Sequence, residues 1–192
     1  MVLHASLAHT TSHLRAPPPL AIASKALPFL GEAPPKLDGT MAGDVGFDPL
    51  NLSESAVPLP WMREAEITHG RVCMLAIVGY IAVDAGIRAP GADKIGTVTS
   101  FTAHDATVAS GHMFLLLGVA GVLELAGIAG IAASLKGERT PGNFELGSSM
   151  VKDVKQLDRM QLAEITHCRL AMMAFSGLVT QAALGHTAFP YF

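Results

Sequence analysis

Glu66-Ile67-Thr68-His69-Gly70-Arg71 and Glu164-Ile165-Thr166-His167-Cys168-Arg169 are one six-residue pattern written twice, 98 residues apart. The likeness extends on both sides. Setting Met62–Gly86 over Met160–Leu184 matches eleven of 25 positions, among them Ala65/Ala163, Met74/Met172, Ala76/Ala174 and Gly79/Gly177. A weaker echo lies upstream, where Gly46-Phe47-Asp48-Pro49-Leu50 corresponds to Asn143-Phe144-Glu145-Leu146-Gly147. A unit of turn motif followed by helix therefore occurs twice, the mark of an internal duplication.

Both copies open a long apolar block. Met62–Ile87 and Met160–Leu184 are joined by a third block, Ala109–Leu135. Each runs to roughly 25 residues, where about 20 suffice to cross a bilayer as a helix. Of the 192 residues half are apolar and only 15% charged, against about 25% in soluble domains. The mean hydropathy is +0.40. This composition excludes a disordered chain. A net charge of −3 without a basic cluster argues against a nucleic-acid binder, and two cysteines cannot make a disulfide framework. A soluble bundle would need polar outer faces, which these blocks lack.

The expected fold is an all-α membrane protein with three transmembrane helices at about 62–87, 109–135 and 160–185. The first and third run parallel and cross about a pseudo-twofold axis. Lys and Arg gather before block one and between blocks two and three, which places the N-terminus on the side of synthesis. Residues 1–26 look like a transit-peptide remnant or a disordered arm, and 27–192 form the functional domain.

At about 100° per residue, the Glu and Arg of one copy point roughly 140° apart, so they pair poorly within a helix. Two symmetric helices solve this in trans, Glu66 with Arg169 and Glu164 with Arg71, because unpaired charges in a bilayer cost several kcal/mol each. The small residues Ala76, Gly79, Ala174 and Gly177 are expected to let the backbones approach. Trp61 reads as an interfacial anchor. His69 and His167 then face away from the seam, either satisfied by a neighbouring backbone or acting as axial ligands to a large apolar molecule with one coordination site. The carboxylate of a Glu–Arg pair keeps a lone pair and can also ligate. Gln181 offers another ligand about four turns after His167. Glu124, deep in block two, is protonated, paired across helices, or a ligand. His112 and His186 are ligands or interfacial side chains. A doubled Glu-x-x-His also suits a membrane di-iron carboxylate oxidase, but that needs two further inward-facing glutamates on other helices, where only Glu124 and three helices are on offer. A quinone or haem redox protein using the two histidines is another reading.

The doubled motif resembles the paired signatures of the light-harvesting chlorophyll-binding protein superfamily, and Ala42–Leu50 resembles that family's N-terminal motif. Leu59-Pro60-Trp61-Met62-Arg63-Glu64-Ala65 and Phe189-Pro190-Tyr191-Phe192 are similar to its chlorophyll a/c branch, of fucoxanthin and peridinin type, most of all dinoflagellate proteins. The resemblance implies no enzyme but a plastid thylakoid antenna, with a stromal N-terminus, passing excitation energy to a photosystem I or II core beside other antenna subunits and thylakoid lipids. A photoprotective, energy-quenching member is the nearest alternative. It implies chlorophyll a, chlorophyll c and carotenoids such as peridinin, fucoxanthin or a diadinoxanthin-like molecule. Glu66, His69, Glu164, His167, Gln181 and Glu124 would ligate chlorophyll magnesium. Carotenoid ends would lie near Phe47, Asp48 and Pro49 and near Phe144-Glu145-Leu146. Green members usually carry Asn where His167 stands.

Overall fold

The computed structural model describes residues 33–88, 90–144, 153–187 and 191. The terminal arm, the Glu145-Leu146-Gly147 echo and most of the terminal Phe189–Phe192 motif lie outside the described residues. Among the described residues four α-helices are present: α1 Leu59–Asp84, α2 Ser100–Ala109, α3 His112–Leu135 and α4 Val154–Ala183. Among the described residues there is no strand.

Local chemistry sets the boundaries and corrects three expectations. α1 begins at Leu59, ahead of the expected Met62, because Pro60 falls in the first turn, where a missing N–H costs nothing. α4 begins at Val154, since Asp153 Oδ1 accepts from the Lys155 N–H at 3.1 Å and caps the helix. Its opening turns are polar, so the apolar pattern alone starts the helix too late. The second block does not begin at Ala109. Gly111 takes φ of 81° and breaks the chain between α2 and α3, and the Ser110 hydroxyl turns back to the Thr107 carbonyl. α2 is a separate, polar helix, opened by a reciprocal cap between Thr99 and Thr102. α1, α3 and α4 close alike: paired backbone hydrogen bonds from Gly86 and Ile87, Gly137 and Glu138, and Gly185 and His186 return to the last turn.

α1 and α3 are long and apolar enough to cross a membrane. α4 is longer, at 30 residues, but Lys155, Asp158, Arg159 and Glu164 interrupt its first half and Arg169 follows. The closest packing joins α1 to α4, while α3 touches α1 and α2 more lightly. The buried centre is small: Ile67, Ile165 and Cys168, with Met74 against them. Leu75, Leu115 and Met173 are each about three-quarters exposed. Apolar surface on this scale marks a protein whose surroundings are themselves apolar.

Gly70 and Cys168 stand at the crossing of α1 and α4. A Cβ on Gly70 would lie 2.2 Å from Cys168 Cβ. Three of the four small residues expected at the crossing take no part in it: a Cβ on Gly79 or Gly177 would meet nothing within 4 Å, and Ala174 is exposed.

Candidate functional site

Two ion pairs join α1 and α4. Arg71 donates from Nε to Glu164 Oε1 at 2.8 Å, and Arg169 donates from Nε to Glu66 Oε1 at 2.8 Å. Each arginine then reaches past its carboxylate to a turn. Arg71 Nη2 donates to the Gly142 carbonyl at 2.8 Å, and Arg169 Nη1 to the Gly43 carbonyl at 2.8 Å. Both glycines have positive φ and lie directly on a motif isoleucine of the opposite repeat. A Cβ on Gly43 would come within 2.8 Å of Ile165, and one on Gly142 within 2.6 Å of Ile67. Each turn is thus fastened twice to the helix of the other half, by an arginine and by an isoleucine.

Two further ionic contacts carry no sequence expectation. Arg63 Nη1 donates to Glu66 Oε2 at 2.8 Å, and its Nη2 to the Ala42 carbonyl. Glu64, only 2% exposed, accepts from Arg139 Nη2 at 2.8 Å, from the Gly142 N–H at 2.6 Å and from the Ser134 hydroxyl at 3.3 Å. Arg139 in turn lies over the Phe144 ring, 4.7 Å from its centroid, and occupies the space that a side chain at Gly130 would fill. Glu64 thereby fastens the end of α3 and the following loop to α1. In sequence it sits in the charged stretch Arg63-Glu64-Ala65-Glu66, and its partner lies 75 residues away, so no local spacing points to the pair.

His69 and His167 are exposed on α1 and α4. Each ring Nδ1 lies 2.7 Å from the carbonyl one turn back, Ala65 for His69 and Ala163 for His167. A carbonyl only accepts, so Nδ1 carries the proton and a neutral ring keeps its Nε2 lone pair. That nitrogen has no protein partner among the described residues. A ring fixed by one nitrogen and open at the other has the geometry of a metal ligand with its orienting contact. Glu164 Oε2 likewise accepts from nothing among the described residues, since both Arg71 contacts go to Oε1. These isolated single donors, each beside exposed apolar surface, suit a large apolar ring with one magnesium coordination site. Among the described residues no three His, Cys, Asp or Glu side chains gather as a metal cluster, which a di-iron centre would require.

The remaining candidates lie apart. Gln181, Glu124 and His186 are all exposed. Glu124 has no cationic partner among the described residues. His112 opens α3, its Nδ1 2.9 Å from the Ser110 hydroxyl. Asp48 accepts from the Leu52 N–H at 2.9 Å and the Ser53 N–H at 2.7 Å. Burial pushes its carboxyl up, but the hydrogen bonds from Ser53 and Leu52 outweigh this and hold it below the usual range. Phe47 and Asp48 line a cavity of about 320 Å³ with Leu37, Met62 and Arg63; Pro49 is exposed nearby. A shallow apolar groove runs along α3 between Phe114 and Leu123.

At the other end of α1, Asp84 accepts from the Ser100 N–H at 2.8 Å, from its hydroxyl at 2.7 Å and from the Tyr191 hydroxyl at 2.6 Å. This carboxylate ties α2 and the C-terminal Tyr191 to α1. The Tyr191 ring also meets Tyr80 edge to face.

A family model described as chlorophyll A-B binding protein matches residues 33–183. The photosystem I chlorophyll a/b-binding protein 5 of Arabidopsis thaliana is 35% identical over 175 residues, covering 80% of this chain and 68% of the relative. The chlorophyll a-b binding protein CP24 10B of Solanum lycopersicum is 32% identical over 186 residues, covering 80% and 71%. The fucoxanthin-chlorophyll a-c binding protein A of Phaeodactylum tricornutum is 31% identical over 136 residues, covering 67% and 68%.

Proposed function

The chain belongs to the chlorophyll A-B binding protein family of light-harvesting antennas, and from that premise we propose how its own residues build the antenna. α1, α3 and α4 cross the thylakoid membrane, with α1 and α4 parallel and related by a pseudo-twofold axis through the Gly70–Cys168 contact. In support, the Arg71–Glu164–Gly142 and Arg169–Glu66–Gly43 arrangements repeat with matching distances. The N-terminus lies on the stromal side, in keeping with the excess of Lys and Arg there.

His69 and His167 hold chlorophyll magnesium through Nε2, and the carbonyls of Ala65 and Ala163 orient the rings. Glu164 and Glu66 ligate through carboxylates kept net neutral or positive by their arginines. Gln181 and Glu124 are single-oxygen ligands on outward faces, and His112 and His186 are further donors at helix ends. Phe47, Asp48 and Pro49 receive one carotenoid end beside the cavity that Phe47 and Asp48 line. The pigments supply absorption and excitation transfer; the protein fixes their spacing, orientation and dielectric. The observation that carries this reading is the pair of histidines with Nδ1 committed and Nε2 open.

The accessory pigments are chlorophyll c and a carbonyl carotenoid of peridinin or fucoxanthin type. Leu59–Ala65, His167 in place of Asn and the likeness to the fucoxanthin protein support this. The antenna serves a photosystem core alongside other antenna subunits; the name of the Arabidopsis thaliana photosystem I chlorophyll a/b-binding relative supports the first part. The test is the absorption spectrum of the purified protein and its pigment extract. Bands of chlorophyll a, chlorophyll c and a carbonyl carotenoid are expected. Chlorophyll b in place of c refutes the branch, and a preparation that binds no chlorophyll refutes the ligand set.

A further inference from the structure

The two motif glutamates occupy equivalent places in the repeat but do not have equivalent surroundings. Glu164 faces one guanidinium, and both contacts from Arg71 fall on Oε1, at 2.8 and 2.7 Å. Its Oε2 is open. Glu66 has each oxygen engaged, Oε1 by Arg169 and Oε2 by Arg63, both at 2.8 Å. The group of Glu66 with Arg63 and Arg169 carries a net positive charge, whereas Glu164 with Arg71 is neutral. The difference comes from one residue. The position equivalent to Arg63 under the 98-residue offset is Gln161, which is uncharged.

An axial ligand works by donating a lone pair. Charge-assisted hydrogen bonds to a carboxylate draw on the same electrons and are about twice as strong as neutral ones. In a low-dielectric setting the extra positive charge is poorly screened. Arg63 is also pinned on its far side by the Ala42 carbonyl, so it does not swing clear at little cost. We propose that Arg63 makes the two halves unequal as magnesium ligands. Glu164 presents an open carboxylate oxygen and holds its chlorophyll firmly; Glu66, clamped on both oxygens, holds its own loosely. Arg63 is the positioning residue that sets the difference. This rests on the ligand set proposed above.

The test refolds the full chain with chlorophyll and carotenoid in detergent, dilutes it into pigment-free detergent, and follows chlorophyll release per polypeptide. Wild type, E66Q, E164Q, R63Q and R63Q/E66Q are compared, with far-UV circular dichroism confirming helix content. E66Q should abolish a fast release phase and E164Q a slow one. R63Q copies the other half of the repeat and leaves both helix-crossing pairs in place, so it keeps the fold. It should slow the fast phase roughly tenfold, equivalent to about 1.4 kcal/mol, and the double variant should lose that gain. Equal release rates from the two glutamates, or a fast phase that R63Q leaves unchanged, overturn the proposal. If neither glutamate variant alters any phase, the ligand assignment itself falls, and the inequality with it.

Discussion

Replacing Gly70 by alanine puts a methyl group where α1 and α4 already touch. The new carbon would stand 2.2 Å from Cys168 Cβ, 2.5 Å from its Sγ and 2.8 Å from its Cα. These atoms belong to a short side chain and a helical backbone, so no flexible tip can give way. The helices must part by more than an ångström to restore ordinary contact. The arginine–glutamate pairs on either side start at 2.8 Å, and the same movement carries them past hydrogen-bonding range. Overpacking typically costs about 1–3 kcal/mol, and the strained ion pairs put G70A at or above the upper figure. For a chain of this length, about 3 kcal/mol lowers the melting midpoint by about 6–12 °C. The assay is thermal loss of helical circular dichroism in detergent. G70A/C168G removes the two shortest contacts and should recover at least half of the loss. A G70A midpoint within about 2 °C of wild type, or a double variant no better than the single, would refute a crossing built on this contact.

Three other perturbations test separate parts of the molecule. E64L leaves Arg139 without its buried partner and should cost about 3–5 kcal/mol in thermal stability, with E64L/R139L recovering most of it; an unchanged E64L midpoint would show that this pair does not hold α3. H69L should lose one chlorophyll per polypeptide with helix content intact, and a full pigment count in that variant would remove His69 from the ligands. Burial, and then the hydrogen bond to Asp84, push the Tyr191 phenol up to about 12. The folded state thus keeps this proton longer than the unfolded chain does. The resulting stability is complete below the ordinary tyrosine value of 10 and is lost as pH rises toward about 12. Y191F should flatten that alkaline decline, and a phenolate absorbance titration with no delayed tyrosine would contradict the contact.

The sequence shows the long-range frame of this molecule better than its local joints. Charges in a bilayer must be neutralised, and the helical geometry of Glu-x-x-His-x-Arg forbids doing so within one helix, so contacts between Arg71 and Glu164 and between Arg169 and Glu66 could be expected without coordinates. The same wheel holds a signal for the crossing point. Relative to Glu66, Gly70 lies at about 40° and Arg71 at about 140°, whereas Ala76 and Gly79 fall at about 280° and 220°, on the opposite arc. Small size alone singled out the wrong glycines. The break at Ser110-Gly111 was hidden because α2 and α3 abut with no proline between them. The Glu64–Arg139 pair depends on how α3 and its loop return to α1, which periodicity does not encode; the second clamp on Glu66 comes from Arg63 one turn earlier on α1, at ordinary i,i+3 spacing.

The lattice of reciprocal fastenings has a consequence for biosynthesis. Each motif glutamate takes an arginine from the opposite half, and that arginine also grips a glycine turn of the glutamate's own half. When α1 leaves the translation machinery, Glu66 has Arg63 beside it, but Arg71 has no carboxylate, and Ile67 has no turn above it. Gly142 is made 71 residues after Arg71, and Glu164 93 residues after it. The early chain is therefore a half-finished clasp, in which Arg71 lacks its carboxylate until α4 arrives to close it.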